Sequence, residues 1–159
     1  MTKLRGEKIV GNAGENLTVF ELSMLGYAAS TVKQDGVDVT VVGGVDLKVA
    51  QRVEVKTVLQ RDAPLARYYF TICKGADKRC YTRKDCDIIA LAALDIKSVL
   101  FFPVESFTSV RTLALTKNDF HNPSDRNQWA AVLEYSQIMQ AEMLKMYSLK
   151  KEYKIYEKV

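Results

Sequence analysis

The chain of 159 residues is poor in the side chains that most often hold transition metals or carry acyl transfer. It has one histidine, His121, and three cysteines, Cys73, Cys80 and Cys86, with no Cys-x-x-Cys spacing among them. A structural zinc site takes four such ligands, and a Ser-His-Asp triad needs a histidine beside its nucleophile. Both readings are disfavoured, and the cysteines read as free thiols. No apolar run approaches the roughly 20 residues needed to span a bilayer. The opening "MTKLRGEKIV" is basic but lacks the apolar stretch of a secretory signal. These absences predict a cytoplasmic protein with no membrane partner. There is also no internal repeat, low-complexity tract or clear linker, which predicts one domain over residues 1–159. Enzymatic chemistry in such a chain would rest on carboxylates and lysine.

What is present is globular in character, with 48% apolar and 26% charged residues. The formal net charge of +4 permits a polyanionic partner without requiring one. "NAGENLTVFELSMLGYAAS" predicts a helix, with Asn12 and Glu15 at capping-box spacing, Leu17, Phe20, Met24 and Tyr27 on one stripe, and Gly26 as a stop. Two strands are expected at about 37–43 and 48–58, joined by a turn containing Gly43 and Gly44. Further strands are read in "ARYYFTI", "IIALAAL", "KSVLFFPV" and "SVRTLAL", with a helical turn in "YTRKDCD". The continuous apolar run "IIALAAL" implies burial on both faces of a sheet. From Arg126 to about Lys151 the pattern is helical again, with Trp129, Val132, Leu133, Met139, Met143, Met146 and Tyr147 near one face. The basic tail "KKEYKIYEKV" follows.

The two valine-rich strands raise a chemical question. Val37, Val39 and Val41 share one face of the first, opposite Asp38; Val53 and Val55 share one face of the second, opposite Glu54 and Lys56. A hairpin turning near Val45 or Asp46 sets Asp38 against Val53 or Glu54. Directly opposed side chains lie about 4.5–5.5 Å apart at Cβ. Two carboxylates at that distance repel unless a cation or a proton lies between them. Oxygen ligands of this kind suit Mg²⁺, which takes one or two carboxylates and leaves other positions to water and phosphate. The competing reading is a solvated hairpin face on which Glu54 and Lys56 are merely exposed.

Asp38 followed by "EVK" at Glu54, Val55 and Lys56 resembles the signature of the PD-(D/E)xK nucleases. "GE" at Gly14–Glu15, "LGY" at the helix end, "DGVDVTV", "YTRKDCDIIALA", "LFFPV" and "VRTLAL" add to the likeness in the right order over about residues 10–115. Within that superfamily the chain looks most like the group I intron-associated homing endonucleases, with archaeal-type Holliday junction resolvases as broader relatives. Val37 stands where the family name has proline. The resemblance implies an α/β, restriction-endonuclease-like core: a mixed sheet of four to five strands flanked by helices, with a helical C-terminal extension over about 116–159. It further implies that Asp38, Glu54 and the Val55 carbonyl bind Mg²⁺, with Mn²⁺ able to substitute. Lys56 would orient or deprotonate the attacking water, or offset charge in the transition state. Glu15 would support the metal site, although a capping box with Asn12 explains it equally well. Asp35 and Asp46 read as turn residues.

The implied activity is cleavage of double-stranded DNA, with site-specific homing first, junction resolution or restriction next, and a non-catalytic DNA-binding module as the competing class. Cutting both strands implies a homodimer or homotetramer assembled partly through the C-terminal region. Lys74, Lys78, Arg79, Arg83 and Lys84 form a basic stretch suited to phosphate contacts, which a solvated surface also explains. Tyr68, Tyr69 and Phe70 read as core in preference to base-stacking residues.

Overall fold

Every residue of Ile88–Ala93 is buried, as a strand apolar at successive positions must be. The computed structural model describes residues 3–125 and 128–156 and shows what covers each face. In chain order the elements are α1 (Lys3–Met24), β1 (Ala28–Gln34), β2 (Val37–Gly43), β3 (Gln51–Val58), β4 (Arg67–Thr71), β5 (Ile88–Ala93), β6 (Ser98–Pro103), β7 (Thr112–Thr116), α2 (Lys117–His121) and α3 (Trp129–Tyr156). The main sheet has five strands in the order β1-β2-β3-β5-β6. It is mixed: β3 and β5 run parallel, and the other neighbours are antiparallel. Among the described residues no helix is long and apolar enough to cross a membrane.

Alternation along β5 divides the interior into two layers. Ile88, Ala90 and Ala92 join Val39, Val41, Val53 and Val55 beneath α1 and the start of α3. Ile89, Leu91 and Ala93 join Tyr68, Phe70, Tyr81 and Phe120 on the opposite face. That second face is covered by a separate two-stranded sheet, β4 with β7, and by α2. The fold class expected from the resemblance is the one observed: a five-stranded mixed sheet flanked by helices, ending in a long C-terminal helix.

Several local expectations are corrected. α1 starts at Lys3, so Asn12 and Glu15 lie inside the helix and form no capping box. Packing on the sheet overrides the weak helix propensity of Gly6, Gly11 and Asn12. β1 was not expected from the sequence; it is an edge strand with mostly exposed residues and no apolar alternation to announce it. The connection from β2 to β3 is a loop over 44–50 rather than a tight turn, and β3 starts at Gln51. β4 and β7 belong to their own ribbon rather than to the main sheet. Gly26, at φ 89°, does end α1, and Tyr68 and Phe70 are core. The expected apolar face of α3 is buried only at Trp129, Val132 and Leu133; Met146 and Tyr147 are exposed. The side chains of the basic tail from residue 151 onward lie outside the described residues.

One glycine fixes how closely α1 approaches β3. A Cβ on Gly14 would stand 1.9 Å from Thr57 Oγ1 and 2.8 Å from Thr57 Cβ. Alanine normally favours a helix interior over glycine by about 1 kcal/mol. Here the sign reverses: Gly14→Ala is expected to lower stability by about 1–3 kcal/mol through overpacking. Thr57→Ala alone is expected to be nearly neutral, because Thr57 Oγ1 is buried and, among the described residues, has no hydrogen-bond partner. In the Gly14→Ala background it should recover part of the loss, as read by thermal unfolding.

Candidate active site

β2 and β3 remain in register only as far as Val39 opposite Val53; beyond that point, toward Asp38, the ladder stops. The Val55 N–H then donates to Asp38 Oδ2 at 2.8 Å. A residue's N–H and C=O face the same strand edge, so the Val55 carbonyl also faces this opening. One further step of the register sets Asp38 across from Glu54, as the strand spacing predicts.

Glu54 is 7% exposed. Its Oε1 accepts hydrogen bonds from the Tyr81 hydroxyl at 2.6 Å and from Lys56 Nζ at 2.7 Å. Lys56 Nζ also donates to the Tyr81 hydroxyl at 2.8 Å and lies 4.9 Å from the centre of its ring. Burial, then the hydrogen bond to Glu54, raises the Tyr81 phenol above its ordinary pKa, which keeps it a donor. Tyr81 was not singled out from the sequence. It belongs to the "YTRKDCD" turn, where Cys86 N–H donates to the Thr82 carbonyl in helical fashion.

Among the described residues, Asp38 Oδ1 and Glu54 Oε2 have no hydrogen-bond donor. Burial first, then the charge of Glu54, pushes the Asp38 carboxyl up to about 7; the Val55 N–H only partly offsets this. Burial and Glu54 also raise Glu15, and Lys33 opposes them. Glu15 and Asp38 share a groove with Lys8, Asn12 and Lys33, between α1 and the β1–β2 hairpin. Three carboxylates thus act on one another across a partly buried groove, with Lys33 and Lys56 opposing in part.

This donor set fits a hard divalent cation. Among the described residues no three Asp, Glu, His or Cys side chains converge on one point. The protein ligands would be the two facing carboxylates and a backbone carbonyl, an incomplete shell of the kind Mg²⁺ accepts. Glu15 acts electrostatically on Asp38 and is itself raised by Glu54.

The basic stretch divides. Arg83 is 9% exposed, and its guanidinium is taken by Glu105, Asp87 and Ser136, so the expected phosphate contact does not hold for it. Arg79 and Lys74 are both bound to Asp85, and Lys74 also reaches Asp35 in the β1–β2 turn. Arg79, followed by backbone and side-chain donors from Thr82 and Lys74, holds the Asp85 carboxyl well below the usual range. Lys78 and Lys84 are exposed and, among the described residues, unpaired. Lys8 and Lys33 were not anticipated; the groove between α1 and the β1–β2 hairpin brings them to Asp38.

No protein-family model matches the chain, and no curated protein matches it in sequence. Among solved structures, a bacterial homing endonuclease, I-Ssp6803I, aligns with a TM-score of 0.62 at 15% identity. The alignment covers 85% of this chain and 96% of that one. The two chains share a fold. At this identity the likeness speaks to the arrangement of elements and not to the chemistry.

The raised Asp38 has a thermodynamic consequence. The folded chain holds a proton there between about pH 4 and 7, where an unfolded aspartate has lost it. Its stabilising contribution is therefore complete below pH 4 and is lost as pH rises through 7. Asp38→Asn, in EDTA, should match the wild type near pH 4 and exceed it at pH 8 by on the order of 1–2 kcal/mol after allowance for solvent screening. Denaturant melts at the two pH values check this; an equal difference at both would refute the electrostatic account.

Proposed function

We propose that this chain is a metal-dependent endonuclease of the PD-(D/E)xK type that hydrolyses phosphodiester bonds in double-stranded DNA. The observation that carries the reading is the meeting of Asp38 and Glu54 where the β2–β3 ladder breaks, with Lys56 hydrogen-bonded to Glu54. The shared fold with a bacterial homing endonuclease supports it and makes site-specific homing the first biological form, ahead of junction resolution and restriction. Asp38, Glu54 and the Val55 carbonyl would hold Mg²⁺, with Mn²⁺ able to replace it. Such a cation acidifies a bound water and offsets charge on the phosphodiester.

The remaining roles belong to the protein. Lys56, as an ammonium paired with Glu54, has no lone pair to accept a proton. Its part is to orient the attacking water and to neutralise charge growing on the phosphate. Tyr81 holds Glu54 Oε1 and Lys56 together, which leaves Oε2 directed to other partners. Lys8 and Lys33 at the groove, with Lys78 and Lys84, supply cations for backbone phosphates.

Supercoiled plasmid and a synthetic four-way junction, incubated with Mg²⁺ or with EDTA, test the reading. Nicking should require Mg²⁺. Glu54→Ala and Lys56→Ala should each reduce it at least about a hundredfold with the fold intact, and Tyr81→Phe about tenfold. Full Mg²⁺-dependent activity in either alanine variant would reject the assignment. Binding without nicking by the wild type would favour the non-catalytic module, and preference for the junction would demote homing.

Two cuts in a duplex need two sites, and the distal half of α3 leaves Leu144 and Tyr147, one turn apart on one face, exposed. We assign this face to contact with a second copy, giving a homodimer or homotetramer. Light scattering should then report an even multiple of 17.9 kDa at micromolar concentration; a monomer would count against it.

A further inference from the structure

The β4–β7 ribbon stands apart from the main sheet. Its strands are antiparallel and in unbroken register from Arg67 opposite Thr116 to Thr71 opposite Thr112. The inner face, Tyr68, Phe70, Leu113 and Leu115, packs in the same apolar layer as Tyr81. The outer face presents Arg67, Tyr69 and Thr71 on one strand and Thr112 and Ala114 on the other. Tyr69 is 41% exposed, the one member of the "YYF" run that the core does not take. Neither Arg67–Thr71 nor Arg111–Lys117 contains an acidic residue, while Arg67, Arg111 and Lys117 bring three cations. Among the described residues the Arg67 and Arg111 guanidiniums make no hydrogen bond. A ribbon needing only to cover the core would gain nothing from an unpaired Arg67 and an exposed Tyr69 on its outer face.

The geometry points to this outer face as the surface that reads base edges in the major groove of duplex DNA. The inference rests on the endonuclease reading above and supplies the recognition surface that reading leaves open. The major groove, about 12 Å wide, admits a two-stranded ribbon. Five residues at about 3.3 Å each extend along roughly four or five base pairs. Arg67 carries the two-pronged donor that matches guanine O6 and N7, threonine hydroxyls bond either base type, and Ala114 and the threonine methyls suit the thymine methyl. Arg111 and Lys117 stand at opposite ends of β7, where they can reach phosphates on either side. The ribbon packs in the same apolar layer as Tyr81, whose hydroxyl bonds Glu54.

The test uses the full chain, a pool of duplexes with a randomised core, and Ca²⁺ in place of Mg²⁺, so that binding is read without cleavage. The wild type should enrich a motif. Arg67→Ala/Thr71→Ala, with its thermal melt unchanged, should lose discrimination by roughly tenfold to a hundredfold over a contiguous run of about four base pairs. Arg67→Lys, which keeps the charge and loses the fork, should lose it at one guanine. The same motif at the same strength in all three proteins would overturn the inference, as would uniform weakening across sequences, which marks a phosphate contact. So would a wild type that enriches nothing. Nicking of plasmid in Mg²⁺ is scored separately: its absence from the wild type would defeat the endonuclease reading, while a motif lost in the variant would keep the ribbon as a recognition surface.

Discussion

The Val55 N–H bonds to the Asp38 carboxylate instead of to a ladder carbonyl, and the rest of the site follows from that exchange. It ends the pairing of β2 with β3 while keeping the two strands in contact. The opening it leaves is lined by a carboxylate from each strand and by a backbone carbonyl. Burial first and the charge of Glu54 second raise the Asp38 carboxyl above its ordinary range, as two acids so placed require. Lys56 and Tyr81 satisfy one oxygen of Glu54 and leave the other. A site where burial and a neighbouring acid both raise a carboxyl gains more from a cation than a relaxed one would.

The fold holds this arrangement by fixing β3 at both ends. At its start, Gln51 accepts from Ser136 of α3 and donates to Gln140, while Arg52 is paired with Asp87 at the start of β5. Arg83 bridges Asp87, Glu105 and Ser136 behind them. Buried ion pairs of this kind add little net stability, but breaking one is costly because it strands a charge. Their effect is to limit β3 to a single placement. Further along the strand, α1 presses on Thr57 through Gly14, which carries Glu15 toward the carboxylates. A site whose members come from a clamped central strand is better ordered than one built on loops.

The fold shared with a bacterial homing endonuclease and the geometry of the break are separate observations. The first concerns the path of the whole chain and says nothing of any side chain at 15% identity. The second concerns three side chains and would stand on any scaffold. The β4–β7 ribbon adds a third element, a polar and cationic face on the same side as Glu54. The recognition role proposed for it and the proposed nuclease role depend on different residues and can fail separately.

The sequence by itself determined the elements whose signals are local. The run Ile88–Ala93 announced a strand buried on both faces, Gly26 the end of α1, and the parity of two valine-rich strands the approach of Asp38 to Glu54. Such readings need only side-chain alternation and a count across one loop. Tertiary structure alone decided the rest. β1 is an exposed edge without a pattern, and its place depends on β2 beside it. Tyr81 lies 27 residues from Glu54, and Arg83 lies 53 from Ser136, so neither partner is visible from its own neighbourhood. A charged side chain reads the same in a sequence whether it ends in solvent or in a buried ion pair; only packing between distant segments makes that choice.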